Sequence, residues 1–205
     1  EFALSLREHD YKGKIVSFEP VKAAHERLFI NSSSDSSWSV HSRVAVGSEI
    51  GTTTINVAGN NAVSSSILEM GSTHKESSPE SIYVGKENVR IVTIDSIFEK
   101  YVRNNDVVFL KIDVQGYEDF VLVGAKSSIK NIAAIKLELS LTSLYEGDKL
   151  YDFYFSKLET LGFDIYDLEP GHRHPNGRLL QFDAIHVKKG DKYKTVGIQD
   201  PKNTT

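Results

Sequence analysis

The sequence contains no cysteine. That excludes disulfides, cysteine nucleophiles and cysteine metal sites, and it fits a reducing compartment. No apolar run approaches the roughly 18 residues that a bilayer-spanning helix needs. The N-terminus lacks the positive, apolar and small-residue succession of a secretory signal. A cytoplasmic protein with no membrane attachment is therefore expected. Positive charge is not in excess either. Lys and Arg total 24 against 28 Asp and Glu, a formal net charge of −4, which argues against a broad nucleic-acid-binding face. No segment repeats another. What is there is a chain of 205 residues, 40% hydrophobic and 25% charged, enough for one domain with a sizeable core.

The chain is organised around Val107-Val108-Phe109-Leu110-Lys111-Ile112-Asp113-Val114-Gln115-Gly116-Tyr117-Glu118. Its first half is a β-branched apolar run broken only by Lys111, which predicts a strand covered on both faces in a parallel sheet. The run stops at Asp113, and polar groups just past a buried strand mark the sheet edge where α/β proteins bind ligands. From Gly116 the apolar spacing becomes helical through Tyr117, Phe120, Val121 and Gly124.

In chain order, residues 1–9 read as a short amphipathic helix. Lys14 to Glu19 reads as a strand ending in an acid, with Pro20 opening a helix over Val21 to Asn31 whose Ala24, Leu28 and Phe29 point inward. Trp38 to Val46 reads as one strand closed by Gly47, and Gly51 to Val57 as a surface strand. Residues 58–88 read as a long loop holding Ser64-Ser65-Ser66. A strand over Val89 to Ile94 follows, with Asp95 able to cap the next helix. Ala133 to Ser140 reads as a second buried strand, with Glu138 near its end. Leu150 to Leu161 reads as a helix, with Leu150, Phe153, Tyr154, Leu158 and Leu161 on one face, stopped by Gly162. Phe163 to Leu168 and Phe182 to Val187 read as a hairpin around a loop rich in Gly, Pro and His. The alternation implies an α/β fold with a parallel sheet, and the hairpin adds one antiparallel strand. One domain over residues 1–188 and a polar tail over 189–205 are expected.

Three segments carry a resemblance: Ile15-Val16-Ser17-Phe18-Glu19-Pro20; Leu110-Lys111-Ile112-Asp113-Val114-Gln115-Gly116-Tyr117-Glu118 with Val121-Leu122-Val123-Gly124-Ala125; and Leu137-Glu138-Leu139-Ser140. Together they resemble the FkbM family of S-adenosylmethionine-dependent methyltransferases. Ser64 to Leu68 and Gln181 to Ile185 are similar to further parts of it. The resemblance implies a Rossmann-like class I methyltransferase sheet, mostly parallel, with S-adenosylmethionine as cofactor. The family's acid-x-Gly-x-x-x-Gly loop is not found, and residues 1–9 look like the helix that follows it. The expectation is that a first strand and that loop precede Glu1.

On this resemblance the cofactor-binding residues are Glu19, Pro20, Ala45, Val46, Ser65, Asp113, Val114 and Gln115. A carboxylate at Glu19 can accept both ribose hydroxyls, and Ala45 and Val46 would flank the adenine. Asp113, Glu138 and His172 are the catalytic candidates. Asp113 and Glu138 fall on one sheet edge, about 5 Å apart if their strands are neighbours, and two close acids raise one pKa towards general-base range. Glu118 suits either the helix start or the site. The reversed last strand brings Gln181 and Asp183 to the same edge, under a loop carrying His172, Arg173 and His174. Histidine there could take a proton from a hydroxyl. The His172-x-His174 pair has no third ligand nearby, and no metal site is expected. The function expected is O-methylation of a hydroxyl on a sugar or secondary metabolite. An NAD-type oxidoreductase and a catalytically silent scaffold are the alternatives.

Overall fold

Short β-rich runs alternating with helical repeats do produce a mixed α/β chain, but its strands form three sheets, not one. The computed structural model describes residues 2–190. The elements are α1 (Phe2–Glu8), β1 (Ile15–Ser17), α2 (Lys22–Ser32), β2 (Trp38–Val40), β3 (Ala45–Val46), β4 (Gly51–Ala58), α3 (Ser72–Ser77), β5 (Tyr83–Val92), α4 (Ile94–Tyr101), β6 (Val108–Ile112), α5 (Glu118–Val123), β7 (Ile132–Ser140), α6 (Tyr151–Thr160), β8 (Phe163–Pro170) and β9 (Gln181–Lys188). The polar tail expected over 189–205 lies, from residue 191 onward, outside the described residues.

β1 pairs with β2 in parallel. β5 sits between β3, parallel to it, and β4, antiparallel. The third sheet runs β6-β7-β9-β8. There β6 and β7 are parallel, and β9 runs against both β7 and β8. The single antiparallel strand expected from the hairpin is thus present in this sheet. The single continuous sheet is not. The strand predicted over Trp38 to Val46 breaks at residues 41–44, where the His25 ring bonds the His41 carbonyl oxygen at 2.7 Å and Val44 turns inward. Its second half then pairs with β5. Much of the long loop predicted over 58–88 is ordered as α3, a 3-10 turn over Pro79–Ser81 and the first half of β5. Among the described residues, the second edges of β1 and β6 have no strand partner.

In the four-stranded sheet, one face carries Ile112, Ile135, Leu137, Leu139 and Ala184. They join Val121, Leu122, Tyr154 and Leu158 in the main core. The other face carries Phe109, Lys111, Lys136, Glu138 and Asp183, because side chains alternate along each strand. The expected burial of β6 on both faces does not hold. Phe109 stays 45% exposed, with the Phe2 ring of α1 stacked 6.1 Å away. Two smaller readings also change. Thr93, not Asp95, caps α4 by accepting the Ser96 N–H, and Asp95 accepts the N–H groups of Ser127 and Ser128. On α2, Phe29 points outward, as does Phe153 on α6, whereas Tyr154 and Leu158 are buried as expected.

Candidate active site

Past the end of β6 the chain makes a left-handed step, with φ of 55° at Gln115 and 91° at Gly116. That conformation is unfavourable for a residue with a Cβ. It is held because the Gln115 carbonyl oxygen and both ends of its side-chain amide are bonded. The Ser66 hydroxyl donates to its carbonyl oxygen at 2.7 Å. The Tyr145 hydroxyl donates to its Oε1 at 2.6 Å. Its Nε2 donates to Asp113 Oδ1 at 2.9 Å and to Glu138 Oε2 at 2.7 Å. Gly116 is required twice over, by its φ and because an added Cβ would lie 3.1 Å from the Tyr145 side chain.

One NH2 group therefore bridges the two carboxylates, and their oxygens are no farther apart than its two bonds allow. The expectation that Asp113 and Glu138 share a rim holds in this geometry. Lys111 Nζ pairs with Asp113 Oδ2 at 2.6 Å. Gln181 Nε2 donates a second bond to Glu138 Oε2 at 3.0 Å. Glu138 Oε1 has no bond to any described residue. Burial, then the like charges of Asp113, Glu118 and Asp183, push the Glu138 carboxyl up to about 8, with Lys111 opposing. Glu118 is buried, and its Oε1 accepts the N–H groups of Val114 and Gly116, both at 3.2 Å. Burial raises it to about 7. Its role is to tie down the loop that carries Gln115.

His172 stands one step removed. Its Nε2 meets the Ser77 hydroxyl at 2.9 Å, and its ring stacks on His74 at 5.8 Å. The His74 ring packs edge-on against Tyr145 at 5.1 Å. The His172 carbonyl oxygen accepts the Gln181 N–H at 3.2 Å. The histidine loop thus adjoins the carboxylates through Gln181 and Tyr145, but His172 bonds neither acid. Burial lowers the pKa of His172 and takes His74 down to about 4.

The other expected contacts lie apart from this cluster. Glu19 Oε1 accepts the Val21 N–H at 2.7 Å, and its Oε2 has no bond to any described residue. Burial raises its pKa, while the Val21 N–H, His25 and Arg27 oppose. The Pro20 carbonyl oxygen takes a bond from Arg43, which also pairs with Glu87 at 2.6 Å. Ala45 packs in a second core with Val21, Ile55, Val89 and Ile91, and Val46 leans on the main core. Ser65 accepts the Ala58 N–H with its hydroxyl at 3.0 Å, so it is Ser66 that reaches the rim. No hydrogen bond joins the Glu19 group to the Asp113 group among the described residues. A hollow of about 500 Å³, with Phe98, Arg103, Ile132 and Lys188 in its lining, is at the other end of the sheet, beside the first residues of β7. A shallower one lies on α6.

The parallel strands β6 and β7 thus lead to a group of three carboxylates, of which Glu118 is buried, Glu138 half-buried and Asp113 exposed. Mixed α/β architecture of this kind is consistent with a methyltransferase-type fold. Residues 1–165 match the family described as Methyltransferase FkbM domain, and the chain belongs to that family. It is a methyltransferase. Comparison with curated proteins and with solved structures finds no match in either. No helix among the described residues is long and apolar enough to cross a membrane.

Proposed function

We propose that this is a cytoplasmic S-adenosylmethionine-dependent O-methyltransferase acting on a hydroxyl of a sugar or secondary metabolite. The observation that carries the reading is the NH2 group of Gln115 bridging Asp113 and Glu138. The donor set suits the cofactor's chemistry. Close carboxylates favour a cationic sulfur and an ammonium group, and the second oxygen of Glu19 remains for ribose hydroxyls. When bound, the cofactor supplies a methyl group on a positively charged sulfur. Once ionised, towards pH 8 and above, Glu138 would take the proton of the acceptor hydroxyl on Oε1 while that hydroxyl oxygen gains the methyl group and the sulfur–methyl bond breaks, leaving a neutral thioether. Glu138 Oε2 stays in the grip of Gln115 and Gln181 throughout. Asp113, paired with Lys111, would hold the positive end of the donor. His172, neutral at pH 7, is a second candidate to carry the proton away.

The same reading puts a further strand and a glycine loop between β1 and β6, supported by their two open edges. Neither an NAD-type oxidoreductase nor a silent scaffold has an observation in its favour. Calorimetric titration of the full-length protein with S-adenosylmethionine, S-adenosylhomocysteine and NAD tests the proposal. Binding of the first two and not of NAD is expected, followed by labelled-methyl transfer to a hydroxylated acceptor. Glu19→Ala should weaken binding about 10-fold or more, the loss of one or two charge-assisted bonds. Unchanged affinity would remove Glu19 from the site.

A further inference from the structure

Tyr145 is fully buried in the stretch between β7 and α6, with no place in the sequence motifs. Its ring fills the space beside Gly116 and lies against His74. Its hydroxyl donates to Gln115 Oε1 at 2.6 Å and is 3.3 Å from the Ser64 carbonyl oxygen. Burial raises its pKa far above the usual tyrosine value, so it remains a donor at every working pH. Gln115, whose amide it meets, is 7% exposed. Turning that amide over would place its oxygen against two carboxylates and its NH2 against a donor. Only one orientation satisfies all five groups: the tyrosine hydroxyl, both ends of the amide and the two acids.

We infer that Tyr145 is a positioning residue: by fixing the Gln115 amide it holds Asp113 and Glu138 side by side and leaves Glu138 one free oxygen, Oε1, for the acceptor's proton. The use of that oxygen rests on the methyltransferase reading above, whereas the clamp itself does not. The charged and titratable groups facing Glu138 are Asp113, Lys111 and Glu118 on the β6–α5 segment, Asp183 on β9, and Tyr145 itself.

The test reads the clamp directly. Full-length protein labelled with carboxyl-13C glutamate is titrated by NMR, with the Glu138 resonance assigned by its loss in Glu138→Gln. Tyr145→Phe should raise the Glu138 midpoint by about one pH unit, a tenfold gain in proton affinity, because a loosened amide supports the ionised form less. Gln115→Glu, which keeps the shape and swaps the NH2 for a third acidic oxygen, should raise it further. It also serves if Tyr145→Phe does not fold. A midpoint unmoved in whichever variant folds, with only the unfolding temperature lowered, would reduce Tyr145 to packing and overturn the inference. Calorimetry with S-adenosylhomocysteine on the same unsubstituted sample separates the two ideas. Absence of binding sinks the cofactor reading, while the midpoint shift still decides the clamp.

Discussion

Holding Glu138 out of water beside Asp113 should destabilise the protein in a pH-dependent way, and removing its charge should relieve this. Its carboxyl, ordinarily at 4.5, is raised to about 8. The folded state therefore keeps a proton that the unfolded chain has released. For a raised carboxyl the sign is that stability is highest at low pH and falls as pH rises from 4.5 towards 8. Each unit of pH in that window costs about 1.4 kcal/mol. Glu118, raised to about 7, adds the same slope over the lower part of the window. Below about pH 6.5 the trend is opposed. His74, His172 and His186 have lowered pKa values, so acid protonates them in the unfolded chain first. The interval least affected by these histidines is pH 6.5 to 8, with Glu118 contributing up to about pH 7 in both proteins. Across it Glu138 should account for a loss of roughly 2 kcal/mol, and Glu138→Gln should lack that loss. For a chain of this size that corresponds to about 4–8 °C in unfolding temperature. Urea unfolding of both proteins at half-unit pH steps measures it. Parallel stability curves would mean that Glu138 is ionised at ordinary pH and that the carboxylate cluster is not strained. The same substitution should abolish methyl transfer, a case of stability gained where function is lost.

Two further outcomes follow from the core. His186 is 1% exposed on β9, with neither ring nitrogen at hydrogen-bond geometry and Phe155 packed 5.6 Å away. Burial lowers its pKa, while the Ala184 backbone opposes. His186→Leu should stabilise by about 1–3 kcal/mol at pH 7.5, and by more as pH falls below about 6.5, checked by urea unfolding at both pH values. A neutral or negative effect would mean that the ring nitrogens are satisfied. Gly124, at the end of α5, lies so close to β3 that an added Cβ would sit 2.0 Å from the Gly47 carbonyl oxygen. Gly124→Ala should cost about 1–3 kcal/mol or more, read as a lower urea midpoint with unchanged slope.

Several features of the site were legible because they are local. The run ending at Asp113, the change of period after Gly116 and the acid near the end of β7 are properties of adjacent residues. They were enough to bring Asp113 and Glu138 to one rim, since neighbouring parallel strands end together. The reversal of β9 was likewise readable, and it brought Gln181 to that rim. The β3 break, the ordered 72–88 region and the open face of β6 were not readable. Each depends on which strand wins a partner, a competition between segments far apart in sequence.

Tyr145 marks the boundary most sharply. Nothing in its neighbourhood distinguishes it from a loop aromatic, and Ser66 looked no different from Ser65. Amino-acid order alone determined that acids would crowd the end of a buried strand, because alternation and period are written residue by residue. Only the folded chain decided which amide stands between those acids and which hydroxyl turns it, because such contacts exist only once distant segments are packed against one another.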